Sequence, residues 1–151
     1  MQKDKRIRFT IWMALAVAWV LVMLFLSGQN AMDSSELSGW LTQLVSNALA
    51  FLHLNASQLE AVLRKTAHFG IFAVEGFLLH AALAQVISRR KRCFLTALVP
   101  CAILAVVTEL EQLFAEGRAC SPIDMGIDSC GALLGILVSC LILWLLAKRK
   151  A

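Results

Sequence analysis

Apolar positions in this chain fall into four long blocks, separated by segments in which polar residues recur. From Phe9 to Leu26 no charged residue interrupts the run. At 1.5 Å per residue, about 18 such residues cross the hydrocarbon core of a bilayer. With its flank this block predicts a span over 9–27, and the later blocks predict spans over 66–87, 94–115 and 124–147. The first block exceeds the roughly 7–15 apolar residues of a signal-peptide core. Gln29 also stands where a cleavage site requires a small residue, so an uncleaved span is expected.

Between the first two spans the pattern changes. Asp33 and Glu36 read as a capping box, with Met32 and Leu37 as its hydrophobic staple. Leu37, Trp40, Leu41, Leu44, Val45, Ala48 and Leu52 then recur at helical spacing among Ser, Thr, Gln and Asn. The pattern predicts an external amphipathic helix over 33–55, lying on the membrane or over the bundle. Ser57 and Glu60 form a second capping box that launches the helix of the second span. Pro100 predicts a kink in the third span, and Gly117 its C-cap. Ser121, Pro122 and Asp124 supply the N-cap, first-turn proline and early acid of the last helix.

Composition agrees with this pattern. Hydrophobic residues make up 60% of the 151 positions and the mean hydropathy is +0.76. Soluble domains carry roughly 45–50% apolar residues. The expected architecture is an all-α integral membrane protein, a single domain over 1–151 with four transmembrane helices.

Charge adds orientation. Eleven of the fourteen Lys and Arg residues sit in three groups at span ends: Lys3, Lys5, Arg6 and Arg8; Arg89 to Arg92; and Lys148 to Lys150. With four spans these groups share one side, which the positive-inside rule makes cytoplasmic, so both termini are expected inside. The net charge of +4 is thereby explained by topology, and no nucleic-acid partner is expected. The five cysteines show no CxxC pair and no zinc spacing, and read as free thiols, with a Cys120–Cys130 pairing left open.

The remaining charges are the informative ones. Ionisable groups at membrane depth cost roughly 2.5–3.5 kcal/mol each and usually face a partner or a cavity. Lys65, His68, Phe72 and Glu75 are spaced along one helical face. Glu109, Gln112 and Glu116 repeat the pattern in the third helix, and Asp124, Asp128, Gly131 and Gly135 in the fourth, where the glycines form a GxxxG suited to close packing. Three helices therefore bring polar groups to the outer third of the bilayer, below Arg118. A salt-bridge network of Lys65 and Arg118 against Glu109 and Asp128 is the purely structural alternative. Glu75 lies deeper, near the midplane.

Arg64-Lys65-Thr66-Ala67-His68-Phe69, followed by Phe72, resembles the K-x-x-H-F-x-x-[YF] motif of VanZ-like membrane proteins. Glu109 to Phe114 with Arg118 resembles the E-x-x-Q-x-F-x-x-x-R pattern of that family, and Asp124, Asp128 and Gly131 follow as they do there. Ser27 to Asn30 and Ser34 to Ser38 are similar to the family's first external loop. The chain departs from the pattern at Thr108, where an Asp is usual, and at Glu75, where an aliphatic residue is expected. The resemblance implies a multi-pass protein of the bacterial inner membrane, in a family whose namesake is associated with teicoplanin resistance.

The leading expectation is a module with an outward-facing intramembrane site that binds an envelope lipid or glycopeptide-related ligand. Arg118 and Lys65 would engage its phosphate or carboxylate, Glu109 and Asp128 would orient those cations, His68 and Gln112 would add directional hydrogen bonds, and Asp124 is a further candidate site residue or only the helix cap. Phe72 and Glu75 are auxiliary. No cofactor and no dedicated metal site is assigned. The alternatives are an intramembrane enzyme, in which His68, Glu109 and Asp128 act as acid and base or hold a divalent ion, and a helix-packing protein whose GxxxG drives homo-oligomerisation.

Overall fold

A computed structural model describes residues 2–28, 56–115 and 120–149, and all regular structure among them is helical. The helices are α1 (Gln2–Ser27), α2 (Ala56–Leu83), α3 (Arg90–Glu111) and α4 (Pro122–Lys148). All four are long and apolar enough to cross a bilayer, as a multi-pass membrane protein requires. The segment expected to form the external helix, together with Glu116, Gly117 and Arg118, lies outside the described residues, as do the side chains of Ser57 and Glu60.

The helices alternate in direction. Trp12 meets Phe77 edge to face at 6.0 Å, and Trp19 Nε1 donates to the Ile71 carbonyl at 2.9 Å, so α1 and α2 are antiparallel. Ser27 Oγ donates to the Thr108 carbonyl at 2.8 Å, which brings the ends of α1 and α3 together. The described members of all three basic groups consequently gather at one end of the bundle, and Glu109, Asp124 and Asp128 at the other.

Helix ends differ in detail from the expected spans. α1 begins at Gln2, so its basic residues occupy helical turns. α2 ends at Leu83, and Arg89 is the N-cap of α3 with Arg90 to Arg92 in the first turn. Cations there oppose the helix dipole, at about 0.3–1 kcal/mol each. Their position is explained by the headgroup layer they would meet. α3 continues through Pro100, then tightens into a 3₁₀ turn at Gln112–Phe114. That turn ends at Ala115, which is extended, with φ −93° and ψ 125°. A tightened last turn satisfies terminal carbonyls that the α pattern leaves unpaired.

In lipid the hydrophobic effect does not drive helices together, so close packing of small residues must. The interior agrees: Ala97, Ala105, Ala132 and Ala16 are buried, and Met23, Phe72 and Cys101 fill the centre between helices. Leu21, Phe25, Ile103 and Leu141 point outward, where lipid would solvate them.

The closest approach is between α2 and α4, which run parallel. A methyl group on Gly131 would lie 2.2 Å from the Phe69 carbonyl oxygen, and one on Gly135 would lie 1.8 Å from that of Ala73. Gly76 answers from the other side, 2.2 Å by the same measure from the Ala132 carbonyl oxygen. The GxxxG face is thus occupied inside the chain. Gly76, its complement on α2, is legible in sequence only once the pairing of the two helices is known.

Candidate functional site

The α2–α4 seam carries polar cross-links at the acid-bearing end. Lys65 forms an ion pair with Asp124 at the surface of the bundle. One turn deeper, His68 Nδ1 lies 3.3 Å from Asp128 Oδ1. The spacings of three on α2 and four on α4 make successive rungs possible because the helices are parallel. Ser121 caps α4, its Oγ accepting from the Asp124 N–H at 3.3 Å, with Pro122 in the first turn. Asp124 thus serves both the helix start and the outer rung.

Glu109 arrives from α3. Its Oε2 accepts the Ser121 backbone N–H at 2.8 Å, tying the end of α3 to the start of α4. Glu109 and Asp128 are both completely buried. One donor atom from each of His68, Glu109 and Asp128 lies within 4.8 Å of the others. Glu109 Oε1 and both Asp128 carboxylate oxygens have no hydrogen-bond partner among the described residues, and the His68–Asp128 contact, though close, is not aligned as a hydrogen bond. Buried carboxylates left this way are costly, since removing such charges from water costs several kcal/mol each without compensation. The His68 side chain is 23% exposed and forms the accessible edge of the cluster.

Some expected site residues gather here and others do not. Lys65, His68, Glu109, Asp124 and Asp128 converge, but Lys65 pairs with Asp124 rather than with Glu109 or Asp128. Gln112 is buried at the end of α3 with Nε2 unpaired. Phe72 is a core residue packed with Met23, Cys101, Ala105 and Ala132. Glu75 is buried beside Met13, Leu79, Pro100 and Cys101, about 10 Å along α2 from His68 by helical rise. Glu75 faces α1 and α3, while Phe72 packs at the centre between α1, α3 and Ala132 of α4. Glu111, off the Glu109 stripe, turns toward α1, its Oε1 3.4 Å from where a methyl on Gly28 would sit.

These positions coincide with the motif residues, and the chain matches the VanZ/LLP1 family over residues 12–144. The chain belongs to the VanZ/LLP1 family. No curated protein and no solved structure matches it. In this VanZ/LLP1 protein, then, the K-x-x-H-F motif supplies Lys65 and His68 to the two rungs, and its aromatic partner Phe72 supplies core packing.

Sequence reasoning passed over a third polar group on the same seam. Toward the basic end His80 is buried, with Nδ1 2.9 Å from Ser139 Oγ and Nε2 3.3 Å from Cys140 Sγ. Each ring nitrogen has a partner, so His80 is a satisfied interhelical link. Its signal was an ionisable group deep in an apolar block, opposite a serine. All five cysteines are free thiols.

Proposed function

We propose that this VanZ/LLP1 protein is an inner-membrane module of bacteria whose acid-bearing end opens to the outer leaflet and binds the anionic head of a cell-envelope ligand, lipid-linked or glycopeptide-related. The observation that carries the reading is that buried Glu109 Oε1 and both Asp128 carboxylate oxygens have no hydrogen-bond partner among the described residues, at a place where three helices converge. Lys65, 45% exposed at the mouth, supplies a point charge for phosphate or carboxylate. The basic end would face the cytoplasm. The test is to express Lys65→Ala, Arg118→Ala and Glu109→Gln singly and measure teicoplanin susceptibility, with mass spectrometry of co-purifying lipids. Loss of resistance and of the lipid is expected; correctly folded variants that behave as wild type reject the reading.

One observation favours a second reading, an intramembrane enzyme. An imidazole 3.3 Å from a buried carboxylate, beside a second carboxylate, is a serviceable acid–base pair. Turnover of lipid-linked envelope intermediates by purified protein, abolished by His68→Ala, would establish it, and no turnover would reject it.

A further inference from the structure

We infer that His68, Glu109 and Asp128 form a binding site for one divalent transition-metal ion of the Zn²⁺ or Mn²⁺ type. The observation that demands an occupant is charge. Glu109 and Asp128 are completely buried, have donor atoms within 4.8 Å of each other, and leave Glu109 Oε1, Asp128 Oδ1 and Asp128 Oδ2 without a hydrogen bond among the described residues. Among the described residues the neighbouring Lys65 is committed to Asp124 on the outer rung. A divalent ion places two positive charges between two carboxylates and takes up the orphaned oxygens as ligands.

Donor chemistry selects the ion. One imidazole and two carboxylates suit zinc and its first-row neighbours, whereas Mg²⁺ and Ca²⁺ prefer all-oxygen shells. Bonds of about 2.0–2.2 Å place neighbouring ligand atoms roughly 3–3.6 Å apart. His68 Nδ1 and Asp128 Oδ1, at 3.3 Å, already have that spacing. Glu109 must close from within 4.8 Å, a side-chain adjustment of the order of 1 Å.

The surroundings are built for the role. The Ser121 N–H holds Glu109 Oε2 at 2.8 Å, which leaves Oε1 as the free ligand atom. This is the outer-shell support typical of metal-bound carboxylates. Gly131 against the Phe69 backbone fixes the register of α2 and α4 one residue beyond His68. Three protein ligands leave at least one position open, as in sites where a metal meets a ligand or water and unlike closed structural sites. The solvent-accessible edge of the cluster is His68, whose side chain is 23% exposed. An acidic cluster would repel an anionic headgroup, and a bound cation would instead bridge to it. This last step rests on the ligand reading above; cation binding itself does not.

The test is equilibrium dialysis of the full chain in detergent or nanodiscs against Zn²⁺ alone, with metal quantified by mass spectrometry and no envelope ligand present. About one ion per chain is expected. His68→Ala, Glu109→Gln and Asp128→Asn should each weaken binding by at least about tenfold, since loss even of a supporting partner costs 10–100-fold. His80→Ala, which removes the other imidazole among the described residues, should leave binding intact. Co²⁺ substitution should give a spectrum without thiolate charge-transfer bands. Circular dichroism on the isosteric Gln and Asn variants separates lost ligands from lost fold. Absence of stoichiometric binding, binding untouched by the three substitutions, or a thiolate spectrum each overturns the site. Teicoplanin susceptibility unchanged with the metal site intact would reject the ligand reading alone.

Discussion

His68 Nδ1 on α2 lies 3.3 Å from Asp128 Oδ1 on α4, and the register behind that distance is set by glycine. Phe69 follows His68, and its carbonyl oxygen occupies the space a side chain on Gly131 would need. The two backbones can therefore approach closely enough for a short Asp side chain to reach the imidazole.

Replacing the seam glycines should open the site and destabilise the bundle. Gly131→Ala and Gly135→Ala put a methyl 2.2 Å and 1.8 Å from backbone carbonyl oxygens. Overpacking of this kind costs about 1–3 kcal/mol or more. Gly70→Ala and Gly126→Ala meet nothing within 4 Å, and a helical Gly→Ala gains up to about 1 kcal/mol. Thermal or SDS unfolding in detergent should separate the two pairs in opposite directions.

Lys65→Ala should barely change stability. The Lys65–Asp124 pair is partly exposed on both sides, 45% and 28%, and exposed ion pairs contribute about 0–1 kcal/mol. A variant that unfolds with the wild type yet loses envelope-ligand retention marks Lys65 as a binding residue. A large drop in melting temperature would instead make it structural.

Asp128→Asn should stabilise the protein in the presence of a chelator. The amide removes at equal size a buried carboxylate whose oxygens have no hydrogen bond among the described residues, a gain of about 1–3 kcal/mol. Added Zn²⁺ should stabilise the wild type and not the variant, because an ion that binds only the folded state adds stability by mass action. Melting curves with and without Zn²⁺ check both arms.

Glu75→Leu should also raise stability. Glu75 Oε2 has no hydrogen-bond partner among the described residues, and the carboxyl lines an apolar cavity of about 290 Å³ beside Met13, Pro100 and Cys101. Insertion scales put a mid-membrane acid at roughly 2.5–3.5 kcal/mol, so an aliphatic replacement recovers part of that. A stable Glu75→Leu protein with altered teicoplanin susceptibility would give this off-pattern acid a functional role.

Orientation is open to direct measurement. Alkaline phosphatase inserted after Gly28 should be active on the far side of the membrane, and a C-terminal fusion inactive. The reverse result would invert the assignment drawn from the basic groups.

The four spans, the basic ends, the cap at Ser121 and the convergence of acids were all legible in the chain itself. They follow from local quantities: the length of an apolar run, the period of a helix and the residue types at its start. Tertiary structure decided which polar groups pair. Lys65 and His68 share a face with Phe72 and Glu75 on α2, yet the first two meet acids of α4, Phe72 joins the central core and Glu75 faces α1 and α3. These four residues lie within about 80° of one another, so depth along the bundle as well as angle sets which neighbour each meets. The glycine contacts between α2 and α4 chose which end met which neighbour. That choice gave Asp124 to Lys65 and Asp128 to His68, and left Glu109 Oε1 and both Asp128 oxygens without a hydrogen bond among the described residues.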